Sequence, residues 1–469
     1  MSVVRNPQRV SGLDASFVSL ETASQHLQIF SILELDPSTV PDGYSFEAFR
    51  DALAVRLRAI PELREKIVDT ALNLDFPVWT EDAEFDIARH VHRIGLPAPG
   101  DRAELERLCG YLAGLRLDHS LPLWQMWVIE GLAGGGVAVM LVLHHAMADG
   151  VTFADLLGRL CSAEPDPGRP SPVTAAPAVG TLRMALDGLA RFARRPAQFV
   201  RLLPPTLRAV LETVRRVVSR RSMALPFTAP PTVLNGRTTG ERTLALARLD
   251  LDDVKKVARH FGVKVNDVAM ALVARQAREY FLDRGELPNR SLIALVPVGA
   301  HDDPDCQARN QVSGIFARLE TQIADPVERL RSIAAASAIA KEHSSALGVT
   351  LLNGWGEVIG PMPLGIAKRI YGRLTQTRPM YNIVVSNVPG PPTPYLMGAR
   401  VSSLYMFGPV MLGVGLNVTL FSTNGALHVA VLSCPALLAD PHAIADGFAA
   451  GLAELLAEID GMPAIPAAV

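Results

Sequence analysis

Residues 163–180, AEPDPGRPSPVTAAPAVG, hold five prolines in a short run. Proline has no backbone N–H and a fixed φ, so neither a regular helix nor a ladder strand passes through such a stretch. It splits the chain into two blocks, and at 469 residues with 49% hydrophobic content each block can bury a core of its own. The expected organisation is an N-terminal subdomain over 1–162, a Pro- and Arg-rich linker over 163–235 and a C-terminal subdomain over 236–469.

Both blocks alternate strand and helix signals. In the first, HLQIFSILEL (26–35) predicts a strand, and SFEAFRDALAVRLRAI (45–60) predicts a helix capped by Ser45 and stopped before Pro61. WQMWVIEGL and GVAVMLVLHH predict two strands around the glycines at 134–136, with a helix over 153–162 after them. In the second block RTLALARLDL, SLIALVPV and YNIVVSNVPGPP predict strands, and 265–285 and 326–344 predict long helices. Residues 401–439 contain no Lys, Arg, Asp or Glu, but Gly408, Pro409, Gly413, Gly415, Asn417 and the TNG at 423–425 interrupt them. That segment is too broken for a membrane-spanning helix and predicts two or three buried strands joined by a hairpin. The fold class is α/β with mixed sheets, in two layers of similar size.

Charge and cysteine usage narrow the partners. A formal charge of −2 gives no global field for nucleic acid. Cys109, Cys161, Cys306 and Cys434 stand singly, as reduced and mostly buried thiols do. The opening MSVVRNPQRV lacks the apolar core of a signal peptide, so a cytoplasmic location is expected. Residues 181–222 depart from this neutrality, with ten arginines against Asp187 and Glu212, interleaved with Leu, Phe and Val. The pattern predicts one or two basic amphipathic helices broken at Pro196 and Pro204. Such helices fit an anionic membrane or lipid surface; the alternative is a solvated hairpin packed on the subdomains.

The stretch VLHHAMADG (142–150) ends an apolar strand in two histidines. A neutral imidazole on a strand-end loop can serve as a general base when a second group fixes its orientation. His145 is the candidate base, with His144 pointing the other way. Asp149 holds the imidazole, caps the next helix or braces the loop by pairing with an arginine, and Gly150 leaves room for a close approach by substrate or backbone. A metal site needs a third ligand, and among the other histidines only His90 and His92 approach a pair, so no metal is expected. No GxSxG elbow for serine hydrolysis occurs.

PLW at 122–124, HHAMADG at 144–150, ND at 266–267, NQVSG at 310–314, SNVPGPP at 386–392 and FGPVMLGVGLNVTLFS at 407–422 form an ordered series. With the opening LDASFVSLET and the stretch PVWTEDAEFDIARHVHRIGLPAPG, the series resembles the motifs of the bacterial wax ester synthase/diacylglycerol acyltransferase family. HHxxxDG by itself is shared with many CoA-dependent acyltransferases and with peptide-synthetase condensation domains; the full set is far more specific.

The resemblance implies two chloramphenicol-acetyltransferase-like subdomains with the active-site channel between them. It implies His145 as general base beside His144, Asp149 as organiser of the loop, and Gly150, Asn266, Asp267, Pro122 and Trp124 as substrate-binding or structural positions. It also implies long-chain acyl-CoA as co-substrate without a further cofactor, and diacylglycerol or a long-chain alcohol as acceptor. A membrane or lipid-droplet surface would be met through 181–222, at the cytoplasmic face of the inner membrane or on lipid droplets. One departure stands in LVPVGAHDD (295–303), where the family has a serine and then a basic residue soon after PV, and this chain has Gly299, Ala300 and His301. The alternatives are an acyltransferase of the same fold with another alcohol or an amine as acceptor, and a catalytically silent lipid-surface protein.

Overall fold

Two six-stranded sheets and one three-stranded sheet make the frame of the computed structural model, which describes residues 8–70, 75–166, 168, 170–171, 173, 181–299, 309–310, 312–347, 349–359 and 378–461. The strands are β1 (Gln8–Arg9), β2 (Gln28–Asp36), β3 (Glu65–Val68), β4 (Val78–Glu81), β5 (Val91–Gly95), β6 (Trp124–Glu130), β7 (Val137–His144) and β8 (Thr243–Asp250). They continue with β9 (Ile293–Gly299), β10 (Val312–Arg318), β11 (Ile383–Pro389), β12 (Tyr395–Leu396), β13 (Ala399–Phe407), β14 (Leu416–Thr423) and β15 (Ala426–Ser433). The helices that matter for the site are α1 (Gly12–Leu20), α2 (Phe46–Leu57), α3 (Arg102–Ala113), α4 (Gly150–Leu160), α5 (Thr181–Val218), α6 (Leu251–Phe261), α7 (Val265–Leu282), α8 (Pro326–Leu347) and α9 (Val349–Ile359).

The N-terminal sheet runs β12-β13-β2-β7-β6-β5, antiparallel throughout except for the parallel pair β5–β6. The C-terminal sheet runs β10-β9-β11-β14-β15-β8, with β11 parallel to both β9 and β14. Every residue of β7 and of β15 is buried. Strands covered on both faces lose the apolar–polar alternation of a half-exposed sheet, which is why GVAVMLVLHH carries none. The expected hairpin at TNG is present as β14–β15, in which Thr423 pairs with Ala426.

The structure departs from the expected organisation in two places. β12 and β13 come from the C-terminal block, yet β13 pairs with β2 from Phe407↔Phe30 to Arg400↔Asp36. The C-terminal subdomain of 236–469 therefore does not keep all its strands in its own sheet. Cores follow the same crossing: Phe30, Ile32 and Met140 share one apolar cluster with Leu244, Phe407 and Leu432. The second departure is α5, one helix of 38 residues that runs through Pro196, Pro204 and Pro205 without the break expected there. The carbonyls these prolines leave without an N–H partner belong to Phe192, Val200 and Arg201, all exposed, so solvent can satisfy them.

Cys109, Cys161 and Cys434 are buried free thiols; Cys306 lies outside the described residues. No helix among the described residues is long and apolar enough to cross a membrane.

Candidate active site at the seam of the two halves

β7 ends at His144, and the next five residues turn into α4. The turn is held by its own polar groups. The Asp149 carboxylate accepts the Thr152 N–H at 2.8 Å as the N-cap of α4, which satisfies one of the four amide donors that a helix start leaves open. Of the roles open to Asp149, the cap of α4 is in place. Gly150 begins α4, and a Cβ there would stand 3.2 Å from Val388 Cγ2 and 3.6 Å from Met406 Cε. The close approach at Gly150 is thus made by side chains of β11 and β13.

The two adjacent histidines face different surroundings. His145 is partly exposed and stacks on Phe17 of α1, with ring centroids 4.3 Å apart. Its Nδ1 lies 3.0 Å from Asn310 Oδ1. Asn310 Nδ2 donates to Asp14 Oδ1 at 2.7 Å and to the His145 carbonyl at 2.8 Å. Both of those partners are acceptors, so the amide orientation is fixed and Oδ1 must face the ring. An amide oxygen only accepts, so Nδ1 carries the hydrogen and Nε2 keeps its lone pair. Among the described residues that Nε2 has no hydrogen-bond partner. Burial pushes the His145 pKa below the ordinary histidine value, which keeps the ring neutral at neutral pH.

His144 is fixed in the opposite tautomer. Its Nδ1 accepts the Ala146 N–H at 3.1 Å, so Nε2 bears the hydrogen and faces Glu21 Oε2 at 3.7 Å. Glu21 also receives Arg116 at 2.9 Å and His119 at 2.6 Å. Burial pushes the Glu21 carboxyl up, but donation from His119, His144 and Arg116 outweighs it and holds the group well below the usual carboxylate range. Glu21, His119 and His144 bring three potential ligand atoms within 4.8 Å of one another. A metal would need the lone pair of His144 Nε2, and the Ala146 amide already consumes the tautomer that would supply it. His90 and His92 form no pair: His90 stacks on Trp124 and His92 on Trp127.

Asn310 lies in NQVSG, and Asp14 and Glu21 lie in LDASFVSLET, and none of the three shows its role from the sequence. Asp14 and Phe17 stand at i and i+3 on one face of α1, and Glu21 is the residue that ends the helix, with a non-helical backbone. A carboxylate and an aromatic one turn apart, with a second carboxylate where the helix ends, mark this segment in the sequence. Burial raises the Asp14 pKa, although Ser11, Asn310 and Arg309 oppose the shift. Next to Asn310, Arg309 forms a buried ion pair with Glu65, stacks 3.8 Å from the Trp79 ring, and offers its carbonyl to Thr152 Oγ1 at 3.0 Å. The segment 309–310 thus clamps the C-terminal half onto the His145 loop.

Other expected site positions are structural in their contacts. Trp124 is fully buried, donates Nε1–H to the Leu63 carbonyl at 2.6 Å and stacks on His90 at 4.5 Å. Pro122 is buried beside it, and the Leu123 carbonyl accepts the His144 N–H at 2.9 Å. PLW therefore pins the end of β7. Asp267 Oδ2 accepts the Lys264 N–H at 3.0 Å and closes the start of α7, while Asn266 Oδ1 accepts from Asn387 Nδ2 at 3.4 Å. Gly299 ends β9 opposite Val312; Ala300 and His301 lie outside the described residues.

Residues 10–269 match the model of the wax ester synthase/diacylglycerol acyltransferase catalytic domain, and residues 309–456 match that of the WS/DGAT C-terminal domain. The chain belongs to the wax ester synthase/diacylglycerol acyltransferase family. A candidate diacylglycerol O-acyltransferase of Mycobacterium tuberculosis is 46% identical over 459 residues, covering 97% of this chain and 91% of the relative. Another from the same organism is 32% identical over 452 residues, 96% of each chain. The wax ester synthase/diacylglycerol acyltransferase of Marinobacter aquaeolei VT8 superposes with a TM-score of 0.67 at 25% identity, over 97% of this chain and 100% of that one. The first condensation domain of the calcium-dependent antibiotic synthetase shares the fold, with a TM-score of 0.59 at 17% identity over 99% and 100% of the two chains. The protein is an acyltransferase of this family with two mixed α/β halves.

Proposed function

We propose that this acyltransferase moves a long-chain acyl group from acyl-CoA to the hydroxyl of diacylglycerol, and of long-chain alcohols as a second acceptor, with His145 as general base. The observation that carries it is the fixed tautomer of His145, Nδ1–H toward Asn310 Oδ1 at 3.0 Å, which leaves the Nε2 lone pair for a substrate proton. Nε2 takes the hydroxyl proton as the acceptor oxygen bonds to the thioester carbonyl carbon. Collapse of the tetrahedral intermediate breaks the C–S bond, and the proton passes from Nε2 to the departing sulfur, which restores the neutral ring. No acyl-enzyme forms, and no cofactor is needed beyond acyl-CoA as co-substrate. Asp149 serves the base by capping α4, and His144 serves it by anchoring the strand end. The diacylglycerol preference rests on the names borne by the Mycobacterium tuberculosis relatives. Both acceptors are water-insoluble, so the protein works as a cytoplasmic, peripheral enzyme on the inner membrane or on lipid droplets.

The test offers palmitoyl-CoA with diacylglycerol, hexadecanol or a long-chain amine and follows free thiol together with the lipid product. Acceptor-dependent ester formation, faster with diacylglycerol, is the expected result. Amide formation alone would move the assignment to an N-acyltransferase. Folded protein that releases no thiol with any acceptor would be a silent lipid-surface protein.

A further inference from the structure

α5 lies against the body of the protein along one row. Gly188 meets Asp75, Leu202 meets Gly354, Thr206 Oγ1 accepts the Trp355 Nε1–H at 2.9 Å, and Arg216 reaches Glu342 at 3.2 Å. At 3.6 residues per turn, two further faces emerge. One carries apolar side chains open to solvent, among them Leu203, Leu207, Val210, Leu211, Val214 and Val218, the last 80% exposed. The other carries Arg194, Arg201, Arg208 and Arg215 at seven-residue intervals, all exposed. Among the described residues, Arg194, Arg201 and Arg208 have no ion pair, and Arg215 has only a 3.9 Å contact with Glu212. Arg216 is instead turned inward to Glu212 and Glu342.

A long apolar face is unstable in water unless something covers it. An uncompensated cationic line along its edge selects an anionic cover. We propose that α5 is an in-plane insertion helix that seats the protein on an anionic lipid surface, its apolar face in the acyl boundary and the Arg194–Arg215 line at the headgroups. The inference rests on the lipid-acceptor reading and adds the residues, the orientation and the lipid charge. It also explains where the base sits. α5 packs on α9 and α9 packs on α1, whose Phe17 lies on His145. Two helix-packing steps of about 9 Å each separate the lipid-facing helix from the helix against the base, a short transfer for an acceptor leaving the lipid phase.

Flotation of the full chain with vesicles of phosphatidylcholine alone, or mixed equally with phosphatidylglycerol, tests this. The wild type should float with the mixed vesicles and less with phosphatidylcholine alone. Replacing Leu207, Val210, Leu211 and Val214 by Ser should lower partitioning by about tenfold or more on the mixed vesicles. Replacing Arg194, Arg201, Arg208 and Arg215 by Gln should abolish the preference for phosphatidylglycerol and the sensitivity to salt. With palmitoyl-CoA and a water-soluble alcohol such as hexanol, both variants should turn over like wild type. Wild-type protein that floats with neither vesicle, or a serine variant that floats as wild type does, overturns the proposal. Loss of hexanol turnover in both variants also overturns it, because the face would then serve folding. A wild type that floats but acylates nothing leaves the insertion standing and removes the proposed reaction.

Discussion

The two six-stranded sheets have the same size and bring different things to the seam between them. The N-terminal sheet ends β7 in the loop that carries His145, and α1 and PLW brace that loop from its own side. The C-terminal half offers that imidazole an amide, Asn310, together with the Val388 side chain under Gly150. Repeating an architecture has not repeated the chemistry. One half supplies the imidazole of His145 and the other decides which of its nitrogens carries the hydrogen, so this arrangement is complete only where the halves meet. Arg309, buried against Glu65 and Trp79, secures that meeting. Its pKa is lowered by burial despite Glu65; an unpaired charge here would be costly, which makes the ion pair a condition of keeping the clamp closed.

The largest effect should come from the reactive side. His145→Ala should reduce kcat by about 100-fold or more, the scale of a lost general base, with the far-ultraviolet spectrum unchanged. His144→Ala should cost much less in steady-state assays on the same substrates, since its Nε2 faces Glu21. Equal losses in the two variants would break the division between base and anchor.

The restraining side should show a smaller loss of a different kind. Asn310→Ala frees the His145 ring to adopt either tautomer, and about tenfold in kcat should go with KM little changed, at the low end of the general-base range. In wild type, the burial-lowered His145 pKa places the acidic limb of kcat/KM below the ordinary histidine value of 6.5. The base is the neutral form, so activity is lost as pH falls through that limb and is level above it. The Asn310 bond opposes the lowering by favouring the charged ring, so its removal should move the limb to still lower pH. A pH profile identical to wild type would show that Asn310 acts only as packing.

How much of this was legible depended on sequence distance. The strand, the loop and His145 are contiguous, and the motif named them. Asn310 is 165 residues from His145, and Asp14 is 296 from Asn310; neither pairing leaves a local signature. The i, i+3 spacing of Asp14 and Phe17 on α1 was visible, yet spacing does not say what a face meets. For β13 the alternation declared a strand and could not declare its sheet, because the same pattern pairs equally well with β2 or with a strand of its own half. In α5 the amphipathic pattern was plain, while the inward turn of Arg216 depended on Glu342 of a helix far along the chain.

The smallest effect on turnover should fall on the frame. Trp124→Phe keeps the aromatic packing but removes the Nε1–H bond and leaves the buried Leu63 carbonyl unpaired, which should cost about 1–3 kcal/mol in urea unfolding. Turnover per folded molecule should stay within twofold or so of wild type, about 0.4 kcal/mol in barrier height. A large fall in kcat without a loss of stability would place PLW among the reacting groups.

The borrowed strand also sets an order of events during synthesis. β2 leaves the ribosome early and its partner β7 follows within the same block, but its other edge waits for residues 399–407. At about 5–20 residues per second, roughly a quarter to three quarters of a minute separates the completion of α4 from the arrival of β13. Through that interval the nascent N-terminal block presents an open, apolar strand edge, the kind of template that neighbouring chains add to. Escape from aggregation at birth is therefore decided by the last third of the chain, well after the catalytic loop has been made.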